Sequence, residues 1–78
     1  MREALIELEM DSEREATIIY ESVYPEVRKK IPKTTVSLDR KGKKLILKIK
    51  SRDTSSLRAA CNSFLRWIET AKSVSEIF

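Results

Sequence analysis

Seventy-eight residues carrying a formal net charge of +4, one cysteine and no histidine make at most one domain, residues 1–78, and exclude several functions at once. A lone thiol closes no internal disulfide, and without imidazole a zinc site and the commonest general base are both missing, which argues against metal, cofactor and enzyme roles. No apolar run approaches the ~20 residues of a membrane span, and the first residues are charged and strand-like rather than a signal-peptide core, so a soluble cytoplasmic protein is expected.

Charge is divided along the chain. Up to Glu26 the carboxylates Glu3, Glu7, Glu9, Asp11, Glu13, Glu15, Glu21 and Glu26 face only Arg2 and Arg14, a balance of −6, which leaves +10 for the remainder. An anionic partner such as nucleic acid is one reading, and a solvated surface with internal charge pairing is the other.

The segment Arg2–Met10, REALIELEM, alternates with Ala4, Ile6, Leu8 and Met10 on one face, as a half-buried strand does. The period then changes. Ser12 and Glu15 stand at capping-box spacing, and Ala16, Ile19, Tyr20, Val23 and Tyr24 share one helical side, with Pro25 expected to end the helix or its last turn. A basic connection with two prolines, PEVRKKIPK, follows, with Ile31 and Val27 as tethers to the core. Then comes a hairpin: Val36 and Leu38 point inward, Gly42 supplies the turn, and Leu45, Leu47 and Ile49 point inward on the return. Asp53 or Ser55 is placed to cap a final helix beginning near Ser55.

The outward residues predict how the strands are arranged. Glu3, Glu7 and Glu9 of the first strand complement Lys44, Lys48 and Lys50 of the third if the two lie side by side. The expected fold is therefore α+β, in the order βαββα, with a three-stranded antiparallel sheet in order 1-3-2 and two helices on one face.

The final helix is apolar over too wide an arc. Leu57, Ala60, Cys61, Phe64, Leu65, Trp67, Ile68, Ala71 and Val74 cover roughly 180°, against about 100° for an ordinary core-facing stripe. Sideways packing on the first helix absorbs part of this. Leu65 and Trp67 fall toward opposite flanks, so at least one flank should lie near the surface. Ile18 is similarly off the buried stripe of its helix. Together these features outline a surface for a partner's helices, and the two sheet edges offer a route to a homodimer. Asn62 lies on the polar face between Arg58 and Arg66, where it is either solvated or hydrogen-bonded across an interface. Trp67 is either core or an interface anchor.

The lysines and arginines of RKKIPK and DRKGKK sit at opposite ends of the first hairpin strand. They suit phosphate contacts without base reading, since the loops contain no aromatic platform. Neither a GxxG loop nor a glycine-rich phosphate loop is present.

The segment LRAACNSFLRWIETA, preceded by KLILKIKSRDTSS, together with IELEMDSEREATIIYESVYPE, resembles the small dimerising Pcc-type subunits of the KEOPS (EKC) complex over nearly the whole chain. NSFLRW is the most specific part. The resemblance implies a noncatalytic scaffold in a complex that installs threonylcarbamoyl on the adenosine beside the anticodon of tRNAs decoding ANN codons. It implies docking of the N-terminal lobe helices of the ASKHA-fold catalytic subunit on the two helices, homodimerisation, and a share in holding tRNA. Carried onto this sequence, docking would involve Ile18, Ser22, Asn62, Leu65, Arg66 and Glu69. For tRNA the charge distribution points to Lys29, Lys30, Lys33, Arg40, Lys41, Lys43 and Lys44. The rivals are a stand-alone basic RNA-binding module and a generic homodimer.

Overall fold

The structure, a computed structural model, describes residues 2–75. Its elements are β1 (Arg2–Glu9), α1 (Glu13–Arg28), β2 (Thr34–Lys41), β3 (Lys44–Ser51) and α2 (Thr54–Ser75). The sheet runs β1-β3-β2 with both neighbouring pairs antiparallel, in the expected order. Ala4, Ile6 and Leu8 stand opposite Ile49, Leu47 and Leu45, and Val36 and Leu38 complete the same face from β2. Both helices pack on that face.

Outward charges reinforce this register. Glu3 lies opposite Lys50 and Glu9 opposite Lys44. The ion pairs themselves run diagonally, Lys48 to Glu3 at 3.5 Å and Lys44 to Glu7 at 3.6 Å. Exposed pairs of this kind add little stability. A slip of one residue, however, would turn these lysines into the core, so the pattern selects the register strongly.

Caps and turns follow from residue chemistry. The Ser12 hydroxyl accepts from the Glu15 amide at 3.1 Å, which starts α1. The Glu15 carboxylate lies 3.6 Å from the Lys72 ammonium and ties the start of α1 to the end of α2. Pro25 does not close the helix: α1 continues to Arg28 with the proline inside its last turn. Proline deprives the carbonyl four residues back of its helical donor. Buried Val23 and half-buried Val27, anchored on either side of it, hold the turn in place.

Ile31 to Thr34 then form a tight turn in which the Thr34 amide donates to the Ile31 carbonyl at 3.2 Å. Pro32 and Lys33 are its central residues, and Lys33 adopts a φ of +62°, as the second central position of a type II turn demands. Gly42 has a φ of +58° and is the first of two residues joining β2 to β3. A side-chain carbon there would meet only ordinary contact with Glu13, so the backbone angle, not space, reserves the position for glycine.

Asp53 is the cap of α2, accepting from the Ser56 amide at 2.7 Å. Hydrogen bonds from the Ser56 amide and hydroxyl, with the charge of Lys33 behind them, hold its carboxyl below the usual aspartate value. A lowered folded-state pKa means the cap is fully present above that usual value and is lost as pH falls through the lower one.

The core gathers Met10, Ile19, Val23, Leu38, Leu45, Leu47, Ile49, Phe64 and Ile68 around Ala16 and Ala60. Ser51 intrudes on this core: it is 1% exposed, and its hydroxyl has no hydrogen-bond partner among the described residues. A buried hydroxyl left in this state forfeits its hydration without return. Ser51→Ala is therefore expected to raise stability by about 1 kcal/mol, read as a higher urea midpoint with an unchanged slope.

Candidate interaction surfaces

The apolar excess of α2 resolves into a sealed centre and two open flanks. Ala60, Phe64 and Ile68 are buried, and Leu57, Cys61 and Ala71 are half-buried against the core. Trp67 is also half-buried, edge-on to Phe64 with ring centroids 4.9 Å apart and planes at 84°. Leu65 is 38% exposed and Val74 47%. The sheet and α1 thus leave part of the arc uncovered.

Each flank borders a shallow groove. On one, Leu65, Ile68 and Glu69 face Leu8 and Met10 at the end of β1 across about 320 Å³. On the other, Trp67, Ala71 and Val74 meet Ser22, Val23 and Glu26 of α1 across about 290 Å³.

Of the expected docking residues, Leu65 and Glu69 line the first groove and Ser22 the second. Asn62, Leu65, Arg66 and Glu69 share one side of α2 by their three- and four-residue spacing, and all four are exposed. Ser22 belongs to the interhelical groove, where its hydroxyl donates to the Ile18 carbonyl at 2.8 Å. Ile18 is half-buried. Asn62, Arg66 and Ile18 line neither of these two grooves. Val74, exposed beside the second groove, is not among the expected docking residues; its place in the wide apolar arc is the signal that marks it in the sequence.

The basic residues also fall into two groups. Lys29, Lys30 and Lys33 follow α1, whereas Arg40 and Lys41 end β2 and Lys43 and Lys44 begin the return, so an eight-residue strand of roughly 25 Å separates the groups. Several charges are already engaged. Lys29 pairs with Glu26 at 3.2 Å, Lys43 with Glu9 at 3.6 Å and Lys44 with Glu7 at 3.6 Å. The Arg40 guanidinium donates to the Gly42 carbonyl at 2.9 Å. Lys33 acts on the Asp53 carboxyl. Lys30 and Lys41 are exposed and make no ion pair among the described residues.

Comparison with known proteins agrees with this architecture. The family model described as Transcription factor Pcc1 matches residues 3–76. The KEOPS complex subunit Pcc1 of Pyrococcus abyssi (strain GE5 / Orsay) is 37% identical over 73 residues, which cover 92% of this chain and 89% of that protein. A chain in the crystal structure of the binary complex Gon7-Pcc1 shares the fold with a TM-score of 0.86 at 20% identity, covering 97% of this chain and 94% of that one. No helix among the described residues is long and apolar enough to cross a membrane. With the family match running from β1 to the end of α2, the chain belongs to the Pcc1 family.

Proposed function

We propose that this chain is the noncatalytic, dimerising scaffold subunit of a cytoplasmic KEOPS complex, acting as one domain over residues 1–78. In this reading it binds the ASKHA-fold catalytic subunit through α1 and α2 and helps to hold tRNA while threonylcarbamoyladenosine is made. The observation that carries it is the pair of open apolar flanks on α2, marked by Leu65 and Val74, in a chain 37% identical to a KEOPS subunit. A small domain gains most from a partner that covers such flanks, because its own core buries comparatively little surface. Dimerisation is supported by the edges of β1 and β2, neither of which pairs with another strand among the described residues. The two basic ends supply phosphate contacts.

Reconstitution tests the proposal. Adding this chain to the catalytic subunit and its remaining components should raise threonylcarbamoyladenosine formation in tRNA, while the chain alone should form none. Modification that is indifferent to the chain, together with tight, salt-sensitive RNA binding by the chain alone, would assign it instead to the stand-alone RNA-binding class.

A further inference from the structure

Away from both flanks of α2, a third groove of about 450 Å³ runs along α1 between Tyr20, Glu21, Tyr24, Pro25 and Arg28. The two tyrosine rings lie with centroids 5.2 Å apart and planes tilted by 35°. Tyr20 is half-buried and packed against the core, which fixes its ring. Tyr24 is 37% exposed and offers its ring to solvent. Arg28 stands one helical turn beyond Tyr24, and Lys29 and Lys30 follow at once. Aromatic faces therefore adjoin Arg28 within the groove, and two more cations, Lys29 and Lys30, come next in the chain at that end of the helix.

This combination narrows the ligand. A purely apolar peptide segment would have no use for the cations, and a duplex keeps its base faces stacked inside. An unpaired nucleotide presents both a base face and a phosphate. The anionic groups nearby set its direction. Glu26 is engaged by Lys29 at 3.2 Å, whereas Glu21 lines the groove seven residues before Arg28, about 10 Å along the helix. Glu21 repels a phosphate and accepts from the exocyclic amine of a base, so the phosphate belongs at the Arg28 end. We propose that this groove holds an unpaired RNA nucleotide, its base stacked on Tyr24 and its phosphate against Arg28 and Lys30. The inference rests on the tRNA-holding part of the proposed function and adds to it the aromatic platform that the basic loops lack.

The test is fluorescence anisotropy with a labelled single-stranded RNA oligonucleotide and, separately, a blunt RNA duplex. The protein is the full chain at low salt and the chain within the assembled complex. Tyr24→Ala should weaken single-strand binding by roughly 5- to 100-fold and leave duplex binding and the salt slope unchanged. Tyr24→Phe should restore the affinity. Arg28→Ala should lower the salt slope by about 1. Thermal unfolding followed by circular dichroism checks that the variants remain folded.

Unchanged single-strand affinity in Tyr24→Ala would overturn the platform; if Lys30→Glu still weakened RNA binding, phosphate contact by the basic residues would survive. Absence of RNA binding by the wild-type chain in both settings would overturn both. Loss of self-association or subunit assembly in Tyr24→Ala, with RNA affinity intact, would assign the groove to a protein interface and likewise overturn the inference.

Discussion

Phe64→Ala is expected to leave the isolated chain largely unfolded at 25 °C. Phe64 is 0% exposed and belongs to the core cluster shared by the sheet and both helices. Removing such a ring typically costs about 3–5 kcal/mol, because the lost transfer energy is joined by that of an incompletely collapsed cavity. A single core in a domain this small rarely supplies more than ~3–5 kcal/mol, so the loss is comparable with the whole reserve. Trp67 also loses its edge-on neighbour. Urea titration followed by far-ultraviolet circular dichroism should show the cooperative transition gone or moved to very low denaturant. A transition near the wild-type midpoint would mean that the core does not depend on this ring.

The largest expected effect on ligand binding comes from reversing Lys29, Lys30 and Lys33 together. They lie within five residues at the start of the hairpin and are exposed, and the pair that Lys29 makes with Glu26 is a surface contact. Their reversal leaves the buried core untouched and costs only exposed contacts, at Glu26 and at the Asp53 cap. If the three charges face phosphates, tRNA affinity of the assembled complex should fall on the order of 100-fold at low salt, and the slope of log K against log salt should shrink by about 3. Subunit assembly should be unaffected. Unchanged affinity and slope in the triple variant would reject the phosphate role of this group.

The sheet was legible in the sequence because two independent patterns coincide there. Alternation sets which residues of β1, β2 and β3 face inward, and the Glu3, Glu7 and Glu9 series matches the Lys44, Lys48 and Lys50 series only in the order 1-3-2. Local chemistry revealed the Ser12 and Asp53 caps and the Gly42 turn in the same way. What escaped depends on how elements meet. The extent of α1 beyond Pro25 is supported by the burial of Val27, a tertiary contact that overrides the local signal. Likewise the clasp between Glu15 and Lys72 joins residues far apart in sequence.

The open flanks of α2 were legible only in part. A helical projection of α2 identifies Leu65 and Trp67 as opposite flanks, but only the placement of α1 decides which flank becomes an interhelical groove. That placement puts Trp67 and Val74 beside Ser22 and leaves Leu65 with the end of β1. Spacing puts Tyr24 on the same helical side as Ala16, Ile19 and Val23, yet the core stops short of it and its ring is exposed.

The idea beneath the functional proposal is that the open helical flanks are completed by another polypeptide. The most direct measurement is sedimentation of this chain with the purified ASKHA-fold catalytic subunit, comparing wild type with Leu65→Asp and Arg66→Glu. Both positions are exposed, so the variants should unfold at nearly the wild-type temperature. Wild type should travel with the catalytic subunit, and each variant should sediment mainly on its own. Co-sedimentation of both variants at wild-type levels, or failure of the wild-type chain to associate at all, would contradict it.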